Sequence, residues 1–337
     1  MATKVIKTAT NSDIEALKKR QHTMSIIMKI LTYVFLIFMA FIIIFPFYWM
    51  IISSLKTFDE YHLKGAFAGT PVPTFFPTEI VWENYFLSLF GTKFQNIEEY
   101  NAFVASGGNP YEYMMLVKSM ISTLGVGIIS TIVSIFVTIF AAFAFARLRF
   151  KGRELLFTIL LMTMMVPGEL FTITNYATVT SFKWTYFTGG WRVFLAYIVP
   201  FLVSVFYIYL LRNNFKQIPD ELYYAAKVDG ASDIKYLFKV MIPLSMPSII
   251  SITILKMMGA WNSYIWPNLV SIGVEDSTYK LVSVVLRTKY TSSTEGALQP
   301  IPLRMAACVI VSIPLFIVFA LFRKYIIRGV SKSGIKG

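Results

Sequence analysis

The chain has 337 residues, of which 56% are hydrophobic and only 15% charged, and its mean hydropathy is +0.63. That is too apolar for an ordinary water-soluble domain, in which about a quarter of residues are charged. A formal net charge of +13 would suit nucleic acid only if the basic residues clustered on a folded polar face. They sit instead at the ends of hydrophobic runs, as in a polytopic membrane protein, so no nucleic-acid partner is expected.

Residues 1–25 are polar and basic (Lys4, Lys7, Lys18, Lys19, Arg20), with only Asp13 and Glu15 against them. The apolar run 26–52 is far longer than the core of a signal peptide and reads as an uncleaved anchor, the first transmembrane helix. About 20 apolar residues carry a helix across the hydrocarbon core. Six stretches meet that length, 26–52, 117–146, 155–178, 193–211, 247–270 and 305–322. Pro167 and Gly168 interrupt the third, and the fifth ends near Pro267. In a membrane such breaks survive only where other protein or water satisfies the freed backbone groups. The predicted fold class is all-α, a polytopic membrane protein with six transmembrane helices.

The loop 53–116 is long and carries more acid than base, and its aromatics and the Pro71, Pro73, Pro77 cluster predict a compact cap. It reads either as a contact surface for an external binding protein or as an insertion packed on the rim. With both termini inside, the cytoplasmic segments hold 19 basic residues and the opposite loops 10. The excess of basic residues in inner loops then places both termini, and the loop 212–243, in the cytoplasm. The core domain is predicted over 117–327, with a cytoplasmic tail at 328–337.

Within it, Arg212 to Pro243 is the longest polar segment between hydrophobic spans in the second half of the chain. Pro219 suits the first turn of a helix, and Asp220 and Glu221 place negative charge at its positive dipole end. Leu222, Ala225 and Ala226 fall at helical spacing and predict one apolar side. Gly230, after Asp229, is suited to the positive φ of a helix stop. Ser232 is placed to cap a second helix, with Ile234, Leu237, Phe238 and Met241 on one face until Pro243 ends it. Two short helices at a sharp glycine bend suggest a docking knuckle. The alternative is an amphipathic loop held on the membrane surface by its lysines.

Catalytic chemistry is missing. There is no G-x-x-x-x-G-K-[ST] loop to cradle nucleotide phosphates. His22 and His62 have no metal-ligand partner at useful spacing, and no nucleophile–base set emerges. Cys308 stands alone in an apolar run, which excludes an internal disulfide and a cysteine-based zinc site. Ser119, Ser122, Ser130 and Ser134 are read as partners of backbone or neighbouring helices. No catalytic residue and no cofactor or metal bound by this chain are expected.

The segment IPDELYYAAKVDGAS (218–232) with FKVMIPL (238–244) resembles the "EAA" coupling loop of permease subunits in binding-protein-dependent ABC importers of the maltose-type carbohydrate group. Tyr224 stands where that loop usually has a glutamate. MMVPGELFTITNY (164–176), WNSYIWPNLV (261–270) and the tail RGVSKSGIKG (328–337) are similar to further motifs of the family. In WNSYIWPNLV, Ser263 and Tyr264 replace residues that are usually acidic and phenylalanine. The resemblance implies a type I ABC importer permease fold in the bacterial cytoplasmic membrane. It also implies a second permease subunit, two copies of an ATPase that binds ATP and Mg, and an extracytoplasmic substrate-binding protein. Contact with the ATPase would fall to Glu221, Leu222, Ala225, Ala226, Asp229, Gly230, Ala231 and Phe238.

Candidate pathway residues are those costly in lipid. Glu169 and Lys256 are ionisable groups at membrane depth, and Asn175, Trp261, Asn262 and Tyr264 offer hydrogen bonding and stacking suited to a sugar. The same residues also fit helix–helix contacts and an interfacial aromatic belt. An ion-gradient-driven secondary transporter or channel is the rival function. It would need a coupling network of ionisable groups inside the spans.

Overall fold

A computed structural model of the chain describes residues 11–57, 60, 74–90, 93–94, 96–168, 170–185, 190–274, 276–291 and 301–331. Among these residues the regular structure is entirely helical. Helix α1 (Asn11–Ser54) leads into a cap containing α2 (Glu83–Leu87) and α3 (Ile97–Ala105). The bundle follows with α4 (Met115–Ala146), α5 (Arg153–Thr163), α6 (Leu170–Ser181), α7 (Val193–Ile198) and α8 (Val205–Lys216). Next come α9 (Asp220–Val228), α10 (Asp233–Tyr236), α11 (Ile242–Asn262), α12 (Ile265–Val270), α13 (Val282–Thr291) and α14 (Ile301–Ser331).

Helix α4 is the axis of the bundle, and its sequence shows why. Its buried stripe is built largely of small residues at three- and four-residue steps: Ser119, Thr123, Gly127, Ser130, Thr131, Ser134, Thr138, Ala142 and Ala146. In lipid, apolar area alone drives no association between helices, so close van der Waals approach of small residues does that work. Helices α7, α8, α11 and α13 all pack on this stripe, while Ile121, Ile132 and Phe136 on the outer side stay exposed. Ser119, Ser122 and Ser130 donate to backbone carbonyls, Ser122 across to Thr278. The buried hydroxyl of Ser134 has no partner.

Among the described residues, four helical runs are long and apolar enough to cross a membrane: Lys19–Ser54, Met115–Ala146, Asp233–Asn262 and Ile301–Tyr325. A fifth crossing is made if Gly190–Phe201 and Val205–Lys216, bent by 47°, act as one. The bend has a local cause. Pro200 brings no N–H to the helix, and Ser204 at the start of α8 is extended (φ −126°, ψ 112°). The stretch predicted as the third span is α5 and α6, two half-helices of 11 and 12 residues separated by the turn around Pro167.

The fifth predicted span is displaced. It begins at Asp233 rather than 247, because Pro243 does not end the helix as the sequence suggested. Residues Leu237–Met241 form a π turn directly before the proline, and α11 continues from Ile242 to Asn262. A proline clashes with the carbonyl four residues back, and the wider π turn absorbs that clash without stopping the helix. The extended backbone at Ser263 (ψ 126°) ends α11 instead, so Pro267 lies buried inside the separate α12.

At the far end of the bundle from α9, the cap is tied down by a buried network. Lys56 (2% exposed) donates to the carbonyl and hydroxyl of Thr74 at 2.6 and 2.7 Å. Glu60 accepts from Thr74, at 2.7 Å, and from both the N–H and hydroxyl of Thr78. Elsewhere in the cap Phe86, Phe90, Phe94, Tyr100, Phe103 and Tyr113 interlock edge to face, over Leu303 of α14.

Candidate functional site

The polar segment 212–243 begins later than its composition suggested, since Arg212 and Lys216 are still within α8. Pro219 is the N-cap of α9, with Asp220 and Glu221 in the first turn. At the other end the backbone closes a complete helix stop. Gly230 N–H bonds to Lys227 O at 3.0 Å and Ala231 N–H to Ala226 O at 2.9 Å, with Gly230 at φ +72°. This pairing satisfies carbonyls that the helix end leaves open, and it needs a left-handed residue at that one position. Ser232 then caps α10 by accepting from Lys235 N–H at 3.2 Å.

Side chains staple the two helices. Asp233 accepts from Lys227 and from the Tyr223 hydroxyl, both at 2.8 Å. The bond to Asp233 raises the Lys227 pKa above its ordinary value. Tyr223 meets the buried Tyr236 edge-on at 5.1 Å. The predicted apolar side is divided as a result. Tyr223 and Ala226 pack inward on the cluster of Phe143, Phe215, Leu237 and Met241, while Leu222 and Ala225 face out. Outward too are Glu221, Asp229 and Gly230, with Val228 (89% exposed), Ile234 (61%) and Phe238 (51%). Ala231 is half-buried at the bend.

One arginine fastens this knuckle to the bundle, and a second braces the helices beside it. Arg147, at the end of α4, donates to Phe215 O at 3.0 Å, to Ile218 O and to the carboxylate of Asp220. Arg212 in α8 donates to Phe145 O at 3.1 Å and to Glu154 at 2.5 Å, with its guanidinium 3.8 Å from the Phe157 ring centre. Both side chains are only 6% exposed. Glu154 also meets Arg153 and Lys216. The hydrogen bond from Arg212 is the main cause of its lowered pKa.

A second feature lies in the bundle between α4, α7, α8, α11 and α12. A cavity of about 320 Å³ is lined by Ser130, Tyr197, Ser204, Tyr207, Lys256, Ser263 and Trp266 among others. Lys256 reaches into the bend of the α7–α8 pair and donates to Phe201 O at 2.6 Å. Among the described residues it is the one charged group on the wall.

The family described as "binding-protein-dependent transport system inner membrane component" matches residues 134–332, more than half of the chain and all of the knuckle. The chain belongs to that family. The permease is 27% identical over 324 residues to a probable ABC transporter permease protein, MG189, of Mycoplasma genitalium, covering 94% of this chain and 92% of the relative. It is 24% identical over 306 residues to the arabinooligosaccharides transport system permease protein AraQ of Bacillus subtilis, covering 90% and 94%. Among solved structures, a chain of a bacterial ABC transporter involved in the import of the acidic polysaccharide alginate superposes with a TM-score of 0.70 at 20% identity. That match covers 89% of the permease and 96% of the other chain, so the type I importer permease fold extends over nearly the whole molecule.

Of the predicted pathway residues that are described, only Lys256 lines the permease's cavity. Glu169 lies outside the described residues. Asn175 is half-buried on α6. Trp261 is buried in the cluster with Leu116, Val282 and Val285. Asn262 is exposed at the end of α11, and Tyr264 lies under Arg287, 4.7 Å from ring centre to guanidinium. Sequence reasoning missed Tyr197, Tyr207 and Trp266, which carry no local signal that separates them from the other aromatics of the spans. It also missed Arg147 and Arg212 as fasteners, since both were counted only as loop charges.

Proposed function

We propose that the permease forms, with a second permease subunit in a heterodimer, the membrane pathway for a carbohydrate, and that α9 and α10 dock on a separate ATPase. The observation carrying this reading is the two-sidedness of the knuckle. One side is fixed to the bundle, by Arg147 through the Ile218 carbonyl and Asp220 and by Tyr223 and Ala226 on the apolar cluster, and the other offers Leu222, Val228, Ile234 and Phe238 to solvent. A surface loop merely resting on lipid needs no such rigid attachment. A handle that receives force from another protein does.

In this reading both termini and the knuckle are cytoplasmic, in keeping with the excess of basic residues in those segments. Two copies of the ATPase bind ATP and Mg, and their closure moves α4, α8 and α11 as one body. The permease itself performs no covalent chemistry. An extracytoplasmic substrate-binding protein delivers the ligand, with the cap at 74–113 on its side of the membrane. The arabinooligosaccharide and alginate names of similar proteins favour a carbohydrate. Lys256 and the hydroxyl-rich wall around it are assigned to the pathway, together with Glu169, Asn175 and Tyr264. Trp261 and Asn262 support it at the end of α11.

The test is reconstitution of the full transporter in vesicles with Asp229→Arg or Phe238→Asp in this chain. Both residues are exposed, so the protein should insert and assemble its bundle normally while ATP hydrolysis no longer drives uptake. Undiminished coupled uptake in both variants would remove the docking assignment. Uptake by the purified chain without any ATPase would instead establish a gradient-driven carrier.

A further inference from the structure

Beside the knuckle, where α4, the 148–152 turn, α5, α8 and α9 meet, lies a cleft of about 890 Å³. Five of its lining residues are cations (Arg147, Arg149, Lys151, Arg153, Lys216) and two are acids (Glu154, Asp220). The acids are already used. Asp220 holds Arg147, and Glu154 is shared among Arg153, Arg212 and Lys216. Two exposed cations are left over. Arg149 donates to the uncharged phenol of Tyr224, and Lys151 has no ion pair among the described residues. Helix α5 also starts at this cleft without a side-chain cap, and its positive end adds to the field.

The cleft does not end in water. Along α5 its rim continues into Leu155, Leu156 and Ile159, exposed at 66%, 49% and 49%. A surplus of positive charge opening onto a strip of bare apolar side chains fits a ligand with an anionic head and a hydrocarbon tail. A soluble phosphate would use the first feature and leave the second idle. An acidic protein loop would not need the strip along α5.

We propose that this cleft binds the phosphate headgroup of an anionic phospholipid, with Arg149 and Lys151 as its charge partners and an acyl chain lying along α5. The assignment holds in either leaflet, so it stands independently of the coupling reading. Because Arg149 also touches Tyr224 of α9, the lipid would brace the root of the knuckle.

The experiment uses the complete transporter in nanodiscs of phosphatidylcholine with or without phosphatidylglycerol, with retained lipid counted by native mass spectrometry. Wild type and the charge-keeping pair Arg149→Lys/Lys151→Arg should retain phosphatidylglycerol in preference to phosphatidylcholine. Each basic residue near a membrane surface contributes about 1 kcal/mol to anionic lipid attraction, so Arg149→Gln/Lys151→Gln should weaken retention roughly tenfold or more. Equal retention of both lipids by the wild type, or an unchanged preference in the neutral pair, would overturn the proposal. Inorganic phosphate alone is the third arm, added to phosphatidylcholine discs. Thermal stabilisation by it equal to that from phosphatidylglycerol would mean a free-anion site and also overturn it. So would a crosslink from Phe150→Cys, an uncharged lining residue, that forms to the ATPase subunit and excludes lipid. The wild-type arms decide the matter even if the neutral pair folds poorly.

Discussion

Arg147→Met should loosen the knuckle without unfolding the bundle. The native guanidinium serves the carbonyls of Phe215 and Ile218, both buried residues, and the carboxylate of Asp220. A hydrogen bond to a charged group is worth about 1.5–3 kcal/mol, so the two carbonyls together lose about 3–6 kcal/mol. Asp220 is 69% exposed, and solvent screening limits its ion pair to under about 1 kcal/mol. The buried Nε has no partner and adds nothing. Against this, methionine spares the desolvation of a charge held at 6% exposure. The net effect is about 2–4 kcal/mol, or a roughly thirtyfold to thousandfold rise in local opening. Hydrogen exchange followed by mass spectrometry, on the protein in nanodiscs, should show faster exchange in 217–231 with α4 and α11 unchanged. Exchange at the wild-type rate across 217–231 would refute the reasoning, because two buried carbonyls cannot lose a charged donor silently.

Three further outcomes follow from the same contacts. A Cβ at Gly230 would meet no atom within 4 Å, so Gly230→Ala should cost only the left-handed backbone penalty of about 1–2 kcal/mol. Gly230→Pro cannot reach φ +72° and also loses the bond to Lys227, so exchange in 226–235 should rank Pro above Ala above wild type. Lys256→Met leaves the Phe201 carbonyl without its donor at the α7–α8 bend, a loss of about 1–3 kcal/mol. Uptake by the reconstituted transporter should fall, and Lys256→Gln, which keeps an N–H donor, should fall less; equal uptake in all three would remove Lys256 from the pathway. The hydrogen bond from Arg212 holds the folded pKa of Glu154 below the ordinary carboxylate value of 4.5, so its stabilising contribution is complete above that pH and lost as pH falls through the lower folded value. A thermal-stability scan should show Glu154→Gln losing part of the wild type's drop below about pH 4.5, and identical acid profiles would contradict the assignment.

Much of the chain was legible because hydrophobic length and helix punctuation are local signals. The knuckle's bend followed from Gly230 and Ser232, each of which acts on backbone groups within five residues. What failed was tertiary in origin. Pro243 carries the usual stop signal, yet the preceding π turn lets the helix run on, and nothing in a linear pattern reports a π turn. The face of α9 differs from the expected one because Leu222, Ala225 and Ala226 are all apolar and helical spacing alone does not say which turns inward. Only the position of Tyr236 decides that Ala226 and Tyr223 turn inward. Trp261 and Trp266 are five residues apart in one motif, but the extended backbone at Ser263 sends one to a packed core and the other to a cavity wall.

The choice of arginine at 147 and 212 bears on how force would cross the molecule. Well-packed apolar residues often stabilise a buried position as well as an ion pair does, so stability alone does not call for two buried guanidiniums. Apolar contact, however, is non-directional and permits sliding, whereas a planar fork fixes both distance and angle to its acceptors. Arg147 ties the end of α4 to the loop entering α9, and Arg212 ties α8 to the last turn of α4 and the start of α5. The path through the α8–α9 loop therefore crosses a directional joint, while the path through α10 runs along the continuous helix into α11, which carries Lys256. In the proposed reading, substituting these arginines harms coupling before it harms folding. An apolar pair replacing Arg212 and Glu154 leaves the Phe145 carbonyl without its donor, at a cost of about 1.5–3 kcal/mol, and should reduce uptake per ATP hydrolysed even where the bundle stays folded.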